Sequence, residues 1–175
     1  KLSIQNLKDK KSRIYFLVQD TKGSARASVR LIYQMAKTLL DSGFNPTILH
    51  EKNDYAGVVA WMDEEYMSIP HKSIEGQNLE ISPEDFIVVP ELFGYIMEQI
   101  KDLPCGKIVL TQNYSHIVET LQPGQSWSQY GFLKCITTNE KQQEYIESVM
   151  RQCDFDILKP LITDNFYPKN LPAMP

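Results

Sequence analysis

The chain of 175 residues has no long apolar run, no basic block and few cysteines. No stretch approaches the roughly 20 apolar residues that a membrane-spanning helix needs, so we predict no transmembrane segment. The formal net charge is -4, with acidic and basic residues interleaved along the chain. Because a basic patch is the usual electrostatic footprint of a nucleic-acid-binding protein, DNA and RNA are excluded as expected partners.

The three cysteines, Cys105, Cys135 and Cys153, are widely spaced and contain no CxxC pair. An odd number of cysteines without metal-ligand spacing is typical of free thiols in a reducing compartment. We therefore expect a cytoplasmic protein with no metal site, and we leave open whether the full-length protein associates peripherally with a membrane. The chain begins at Lys1 rather than methionine, which leads us to expect a longer parent protein.

The sequence also lacks the short motifs that are typical of particular enzyme reactions. The sequence contains no GxGxxG, GxSxG, HExxH, P-loop or paired-carboxylate pattern. The dinucleotide fingerprint is therefore not met, and we predict no cofactor and assign no catalytic residue.

A β-α-β unit runs from Arg13 to Leu49. Ile14 to Val18 is continuously apolar, as expected for a strand that is covered on both faces. The helix that follows places Val29, Ile32, Ala36 and Leu39 on one face, with Ser24 or Ser28 as its expected N-cap. Gly43 is expected to form its left-handed C-terminal cap, and a second strand returns at Thr47 to Leu49.

Strands and helices alternate along the rest of the chain. Further strands are predicted at 86–89, 108–110, 135–137 and 155–158, and a further helix at 92–103. A last helix follows Asn139, which forms a capping-box pattern with Gln142, and its expected inner face consists of Tyr145, Ile146, Val149, Met150 and Cys153. Between them, 56–62 favours a short helix over a strand, and 66–83 is expected to hold one irregular strand. The pattern predicts an α/β fold, a three-layer Rossmann-like domain with a mainly parallel sheet over residues 13–162. Residues 1–12 are a predicted flexible lead-in, and 163–175 a predicted linker.

The loop after the first strand is one candidate binding segment. In a Rossmann-like domain it lies at the carboxyl edge of the sheet, beside a helix N-terminus, where the backbone amides of Gly23 and Ser24 could face an anionic or sugar ligand. Arg26 could add a phosphate contact. The alternatives are a simple tight turn at Gly23 and a solvated surface arginine at position 26.

Two later strands also end in polar residues. Glu91 follows one strand, and Asn113 and His116 follow the next. Asn113 offers a donor and an acceptor for sugar hydroxyls, and a neutral His116 could bond a hydroxyl or take up a proton. An ordinary rim carboxylate and an exposed histidine are the alternative interpretations of Glu91 and His116.

The order of these segments resembles the amino-terminal half of GT-B glycosyltransferases, family 4 in particular. The resemblance rests on TKGSARAS, LLDSGFNPTIL, VVPE, IVLTQNYSH, CITTNE and DILKPLITDNFYP, in that order. The last contains Ile162, Asp164, Phe166 and Pro168, where the family has I/V-D-x-x-F-x-P. The match extends over roughly residues 12 to 168.

The resemblance implies an enzyme that transfers a sugar from a nucleotide-sugar donor to a glycan or glycolipid acceptor, with retention of anomeric configuration. It implies that this chain is the acceptor-side half, inactive alone, and that a C-terminal donor-binding domain with paired glutamates follows. It also implies that the donor's own phosphate assists the acceptor hydroxyl.

Two positions depart from the family pattern. Ser24 replaces the second glycine of the first loop, and Asn113 stands where many members have histidine. The alternative is a stand-alone flavodoxin-like or receiver-like binding module. TKGSARAS partly fits the phosphate loop of a flavodoxin, and Asp20 partly fits the acidic cluster of a receiver domain. A scaffolding domain without a ligand is a third interpretation.

Overall fold

The computed structural model describes residues 12–55, 58, 61–75, 79–150 and 154–157. The strands within these residues are β1 (Arg13–Leu17), β2 (Asn45–His50), β3 (His71–Ser73), β4 (Phe86–Pro90), β5 (Gly106–Thr111), β6 (Phe132–Thr137) and β7 (Asp154–Ile157). The helices are α1 (Ala27–Asp41), α2 (Gly94–Ile100), α3 (Ser115–Thr120) and α4 (Glu140–Val149), with short 3₁₀ helices at Glu64–Ser68 and Trp127–Tyr130. The lead-in 1–11, the closing motif at 162–168, the linker 163–175 and Cys153 lie outside the described residues.

All seven strands form one parallel sheet in the order β3-β2-β1-β4-β5-β6-β7. The chain builds outward from β1 to β3 and then returns to place β4 on the other side of β1. This is the Rossmann strand order, and its reversal point lies between β1 and β4. A flavodoxin-like domain has the order 2-1-3-4-5 instead, so its connectivity differs from that of this sheet.

The sheet is buried on both faces, which confirms the predicted three-layer α/β architecture. Alternate residues of β1 and of the position after it belong to different cores: Tyr15 and Leu17 pack on one side, Phe16 and Val18 on the other. Helices α2, α3 and α4 cover the first side. Helix α1 covers the second, together with apolar residues of the segment that precedes β3.

Helix α1 ends as predicted and begins differently. Gly43 has φ +84° and donates to the oxygen of Leu40, while the amide of Phe44 donates to the oxygen of Leu39. This is a Schellman cap, and its left-handed residue favours glycine. The N-cap is Arg26, with no side-chain cap. The predictions of Ser24 or Ser28 were therefore wrong, since each lies two residues away from that position.

Helices α2 and α4 also differ from expectation. Helix α2 is restricted to Gly94–Ile100. The predicted N-cap of α4 is confirmed, because the side chain of Asn139 accepts from the amide of Gln142. Ile146 is buried, but Tyr145 is 37 % exposed and Val149 54 %. Only one stripe of α4 therefore contacts the sheet. The prediction that Tyr145 and Val149 lie on the inner face of this helix was wrong.

The middle of the chain contributes a short strand and irregular packing. The expected irregular strand is β3, and a 3₁₀ helix precedes it. A short helix was predicted at 56–62, and of these residues the structure describes Val58, Trp61 and Met62. They form a single turn in which the backbone oxygen of Val58 accepts from the amides of Trp61 and Met62. No helix in that part is long and apolar enough to cross a membrane.

Candidate functional site

Three loops meet at the carboxyl edge of the sheet, around the point where the strand order reverses. They follow β1, β4 and β5, which are consecutive neighbours in the sheet. Because the strands are all parallel, these loops share one edge, and ligands of open α/β sheets bind outside that edge at the reversal point. Every predicted site residue lies in one of these loops or at the start of the helix that follows it.

The loop after β1 is a tight turn. Lys22 and Gly23 both have positive φ, +49° and +81°. The amide of Ser24 donates to the oxygen of Thr21 at 3.0 Å, and the carboxylate of Asp20 accepts from the amide of Lys22 at 2.9 Å. The turn thus occupies the Ser24 amide, which is not free for a ligand. A Cβ at position 23 would meet no atom within 4 Å, so φ rather than space favours glycine there.

The N-terminus of α1 opens toward the same edge. Its N-cap residue, Arg26, is exposed and extended, and its side chain caps no amide. Among the described residues the Arg26 guanidinium has no hydrogen-bond partner, which leaves its five N–H donors to solvent. The N-terminus of α1 carries partial positive charge, and the Arg26 guanidinium beside it is positively charged, so together they favour an anion.

Glu91 organises the second and third loops. It lies directly after β4, is 1 % exposed, and its own amide donates to the oxygen of Leu110. Its carboxylate accepts from the amides of Gln112 and Asn113, at 3.2 Å and 2.9 Å. The Nδ1 atom of His116 lies 3.2 Å from Glu91 Oε1. Because it is buried, Glu91 holds the neighbouring loop in place rather than presenting a surface for a ligand.

Asn113 and His116 stand on that loop, facing solvent. Asn113 is exposed, and its Oδ1 accepts from both the amide and the hydroxyl of Ser115. Its side-chain nitrogen, Nδ2, has no hydrogen-bond partner among the described residues. The His116 side chain is 33 % exposed. The sequence-predicted residues Glu91, Asn113 and His116 are therefore direct neighbours.

Gln112 joins this group to α1. Its side-chain nitrogen donates to the backbone oxygen of Ser28 at 3.1 Å, and its backbone oxygen accepts from the Gln142 side-chain nitrogen at 2.7 Å. The Gln142 side-chain oxygen accepts in turn from Thr138, after β6. The sequence indicated Gln142 only as one half of a capping box with Asn139, and nothing in the pattern indicated the long-range role of Gln112.

A further contact spans the end of β1. Glu51 follows β2 and Tyr95 lies in the first turn of α2, so the two residues come from the strands on either side of β1. Most of the Tyr95 side chain is exposed, but partial desolvation of its hydroxyl, followed by the effect of the Glu51 carboxylate, raises the pKa of Tyr95. Sequence reasoning missed this pair, because the residues are distant along the chain and match no motif.

An apolar groove of about 190 Å³ lies apart from these loops, between α3 and α4. Its lining includes Val118, Leu121, Tyr145 and Val149. None of the six predicted site residues lines it. No group of three His, Cys, Asp or Glu residues in the described part of the chain could hold a metal ion.

Comparisons of the chain with protein-family models, with curated proteins and with solved structures found no match. Function is therefore inferred from the geometry of the site and from the resemblance of its motifs.

Proposed function

We propose that this domain is the acceptor-side, amino-terminal domain of a retaining glycosyltransferase. The enzyme would move a sugar from a nucleotide-sugar donor to a glycan or glycolipid acceptor, as in the synthesis of surface polysaccharides. A second, donor-binding domain would complete its cleft. A cytoplasmic location belongs to the same proposal, supported by the buried thiol of Cys105, which forms no disulfide.

The observation that carries the proposal is the grouping of the three loops around the β1–β4 reversal point. The buried carboxylate of Glu91 orders Asn113 and His116, and Gln112 joins their loop to the start of α1. Exposed amide and imidazole groups on a rigid support suit a polyhydroxyl ligand, since both bond to hydroxyls in a defined geometry.

Two parts of the carboxyl edge of the sheet suit the two substrates of the proposed reaction, the acceptor and the donor. The Asn113 side chain carries no charge, and neither does His116 when its imidazole is neutral. Both side chains therefore favour the acceptor sugar. Arg26 and the uncapped N-terminus of α1 favour the negative charge of the donor's diphosphate. The protein would act mainly by positioning groups and stabilising charge.

Nuclear magnetic resonance of the ¹⁵N-labelled chain tests this division with two separate sets of probes. Methyl glycosides of glucose, galactose and mannose should shift the amide signals of Asn113 and His116. Uridine and guanosine diphosphate should shift the signals of Ala27, Ser28 and Val29. Shifts confined to other surfaces, or no shift with any probe at millimolar concentration, would refute the proposal.

A pair of variants sharpens the nucleotide test. Arg26→Ala should weaken diphosphate binding by about fivefold, the equivalent of about 1 kcal/mol, which is the net value of one hydrogen bond at a solvent-exposed position. It should leave the glycoside response unchanged. Lys37→Ala removes one positive charge from the same helix, where Lys37 pairs with Asp41, and should change neither response.

A further inference from the structure

Tyr95 presents an exposed aromatic ring at the carboxyl edge of the sheet. It lies in the first turn of α2 and is 54 % exposed. Its ring is nevertheless in contact with two partners. The centroid of the buried Phe93 ring lies 6.1 Å from that of Tyr95, at an interplanar angle of 55°. At its other end, the Tyr95 hydroxyl faces the carboxylate of Glu51.

Glu51 is well placed to hold this hydroxyl. It directly follows β2, and its backbone oxygen accepts from the amide of Glu75, after β3, at 2.9 Å. Tyr95 comes from the helix after β4, and β1 lies between β2 and β4 in the sheet. The Tyr95 side chain therefore reaches across the end of β1, at the reversal point of the strand order.

This ring adjoins both parts of the candidate site. Tyr95 follows Glu91 by four residues, and Glu91 accepts from the amide of Asn113 in the neighbouring loop. On its other side, the loop after β1 leads to Arg26, the N-cap of α1. Tyr95 thus lies between the residues that favour the acceptor and those that favour the donor.

An exposed aromatic ring at this place suits the ring of a sugar. A pyranose carries C–H groups on its two faces and hydroxyl groups around its edge. The negative face of an aromatic ring attracts those C–H groups, and stacking removes apolar surface from water. The Glu51 carboxylate, which is exposed, can accept from a hydroxyl at the edge of a stacked sugar. Its negative charge disfavours an acidic group there.

We propose that a pyranose ring of the acceptor stacks on Tyr95, and that Glu51 is the positioning residue that holds the Tyr95 ring over the end of β1. This inference rests on the proposed glycosyl transfer and specifies its acceptor. The acceptor is an uncharged pyranoside rather than an open-chain polyol, because only a closed sugar ring offers a rigid C–H face.

A comparison of two ligands tests the class of acceptor. Methyl β-D-glucopyranoside has a closed ring, whereas D-glucitol carries its hydroxyl groups on an open chain. Titrations followed at the Asn113 amide should show that the glycoside binds severalfold more tightly. Equal affinities would overturn the inference and leave the proposed function standing. If no glycoside binds, the proposed function fails, and this inference fails with it.

Variants of Tyr95 test the stacking contact. Tyr95→Leu should weaken glycoside binding about fivefold, as expected for the loss of one aromatic contact. It should leave the response of the Ala27 amide to uridine diphosphate unchanged, which also shows that the chain is folded. Tyr145→Leu removes another exposed aromatic ring, on α4, and should change neither response. An unchanged glycoside affinity in Tyr95→Leu would refute the stacking role.

The role of Glu51 needs a double variant. Tyr95→Phe and Glu51→Ala should each weaken glycoside binding about twofold, and about twofold when combined, because both remove the same contact. Glu51→Gln should retain the affinity, since its amide oxygen still accepts from the tyrosine hydroxyl. Glu64→Ala, at an exposed glutamate before β3, is the control and should have no effect. Additive losses in the double variant would contradict the positioning role of Glu51.

Discussion

Gln112 donates a hydrogen bond from its side chain to the backbone oxygen of Ser28 at 3.1 Å, across 84 positions of the sequence. It connects the end of β5 to the first turn of α1, past the intervening strand β4. The loops on the two sides of the reversal point are thus joined by a direct bond.

Removing this bond should lower stability modestly. Gln112→Ala should reduce the free energy of unfolding by about 1 kcal/mol, the net value of one intramolecular hydrogen bond. Urea denaturation followed by circular dichroism measures it. Gln122→Ala, at an exposed position after α3, is the matched control and should change stability by less than about 0.5 kcal/mol. Equal losses in the two variants would contradict a specific role for Gln112.

The contact of α2 with α3 depends on Gly94. A Cβ there would lie 2.6 Å from Thr120 Cβ and 2.8 Å from the Thr120 backbone oxygen. We expect Gly94→Ala to destabilise the protein by about 1–3 kcal/mol, because backbone has to move. Helix propensity alone predicts the opposite sign, a gain of about 1 kcal/mol. Thermal unfolding decides between them, with Gln99→Ala on the exposed side of α2 as control.

Asp85 should stabilise the fold through its charge. It is 2 % exposed and accepts from the amides of Arg13 and Ser82 and from the Arg13 guanidinium. Burial raises the pKa of Asp85, but these hydrogen bonds and the positive charge of Arg13 outweigh burial and hold the pKa below its usual value. Because the unfolded chain takes up the proton first, this stabilisation is complete above about pH 4 and is lost at lower pH.

Asp85→Asn should therefore cost about 2 kcal/mol at pH 7. Its unfolding free energy should fall less than that of the unmodified chain when the pH drops from 5 to 2, as measured by urea titration at each pH. Asp41→Asn, at an exposed ion pair with Lys37, should have little effect at either pH. A parallel pH profile for Asp85→Asn and the unmodified chain would refute the prediction.

His71 should make the protein sensitive to milder acid. His71 is exposed on the edge strand β3, but one side of its ring lies against Tyr33 and Tyr55. The desolvation there, followed by the charge of His50, lowers the pKa of His71 to about 4. The unfolded chain binds this proton near pH 6.5, so stability should decline as the pH falls from 6.5 toward 4. His71→Gln should show a smaller shift of its urea midpoint between pH 7 and pH 5. Lys72→Gln, the exposed neighbour, should keep the full shift.

Much of the architecture was predictable because parallel strands carry a strong signal. The continuous apolar runs at β1 and β4 are typical of strands covered on both faces, and the spacing of Val29, Ile32 and Ala36 is typical of a helix packed on them. The prediction failed at α4, where Tyr145 and Val149 continue the apolar spacing but are exposed. Periodicity identifies a face of a helix, and it does not determine how much of that face the sheet can cover.

The candidate site was predictable only in part. Glu91, Asn113 and His116 were found because polar residues after parallel strands collect at one edge. Their separate roles were not visible, since burial distinguishes the positioning carboxylate of Glu91 from the exposed Asn113. The partnership of Gln112 with Ser28 was also invisible, because no local spacing relates residues so far apart.

The sequence by itself determined the alternation of strands and helices, the parallel sheet and the edge at which its polar loops would lie. Local patterns of apolar and polar residues carry that information, since each strand and helix must bury one face whatever its neighbours are. Only the tertiary structure decided the strand order, the burial of Glu91 and its contact with His116 Nδ1. These depend on which distant segments become neighbours, and a hydrogen bond between two side chains exists only after the fold has brought them within about 3 Å.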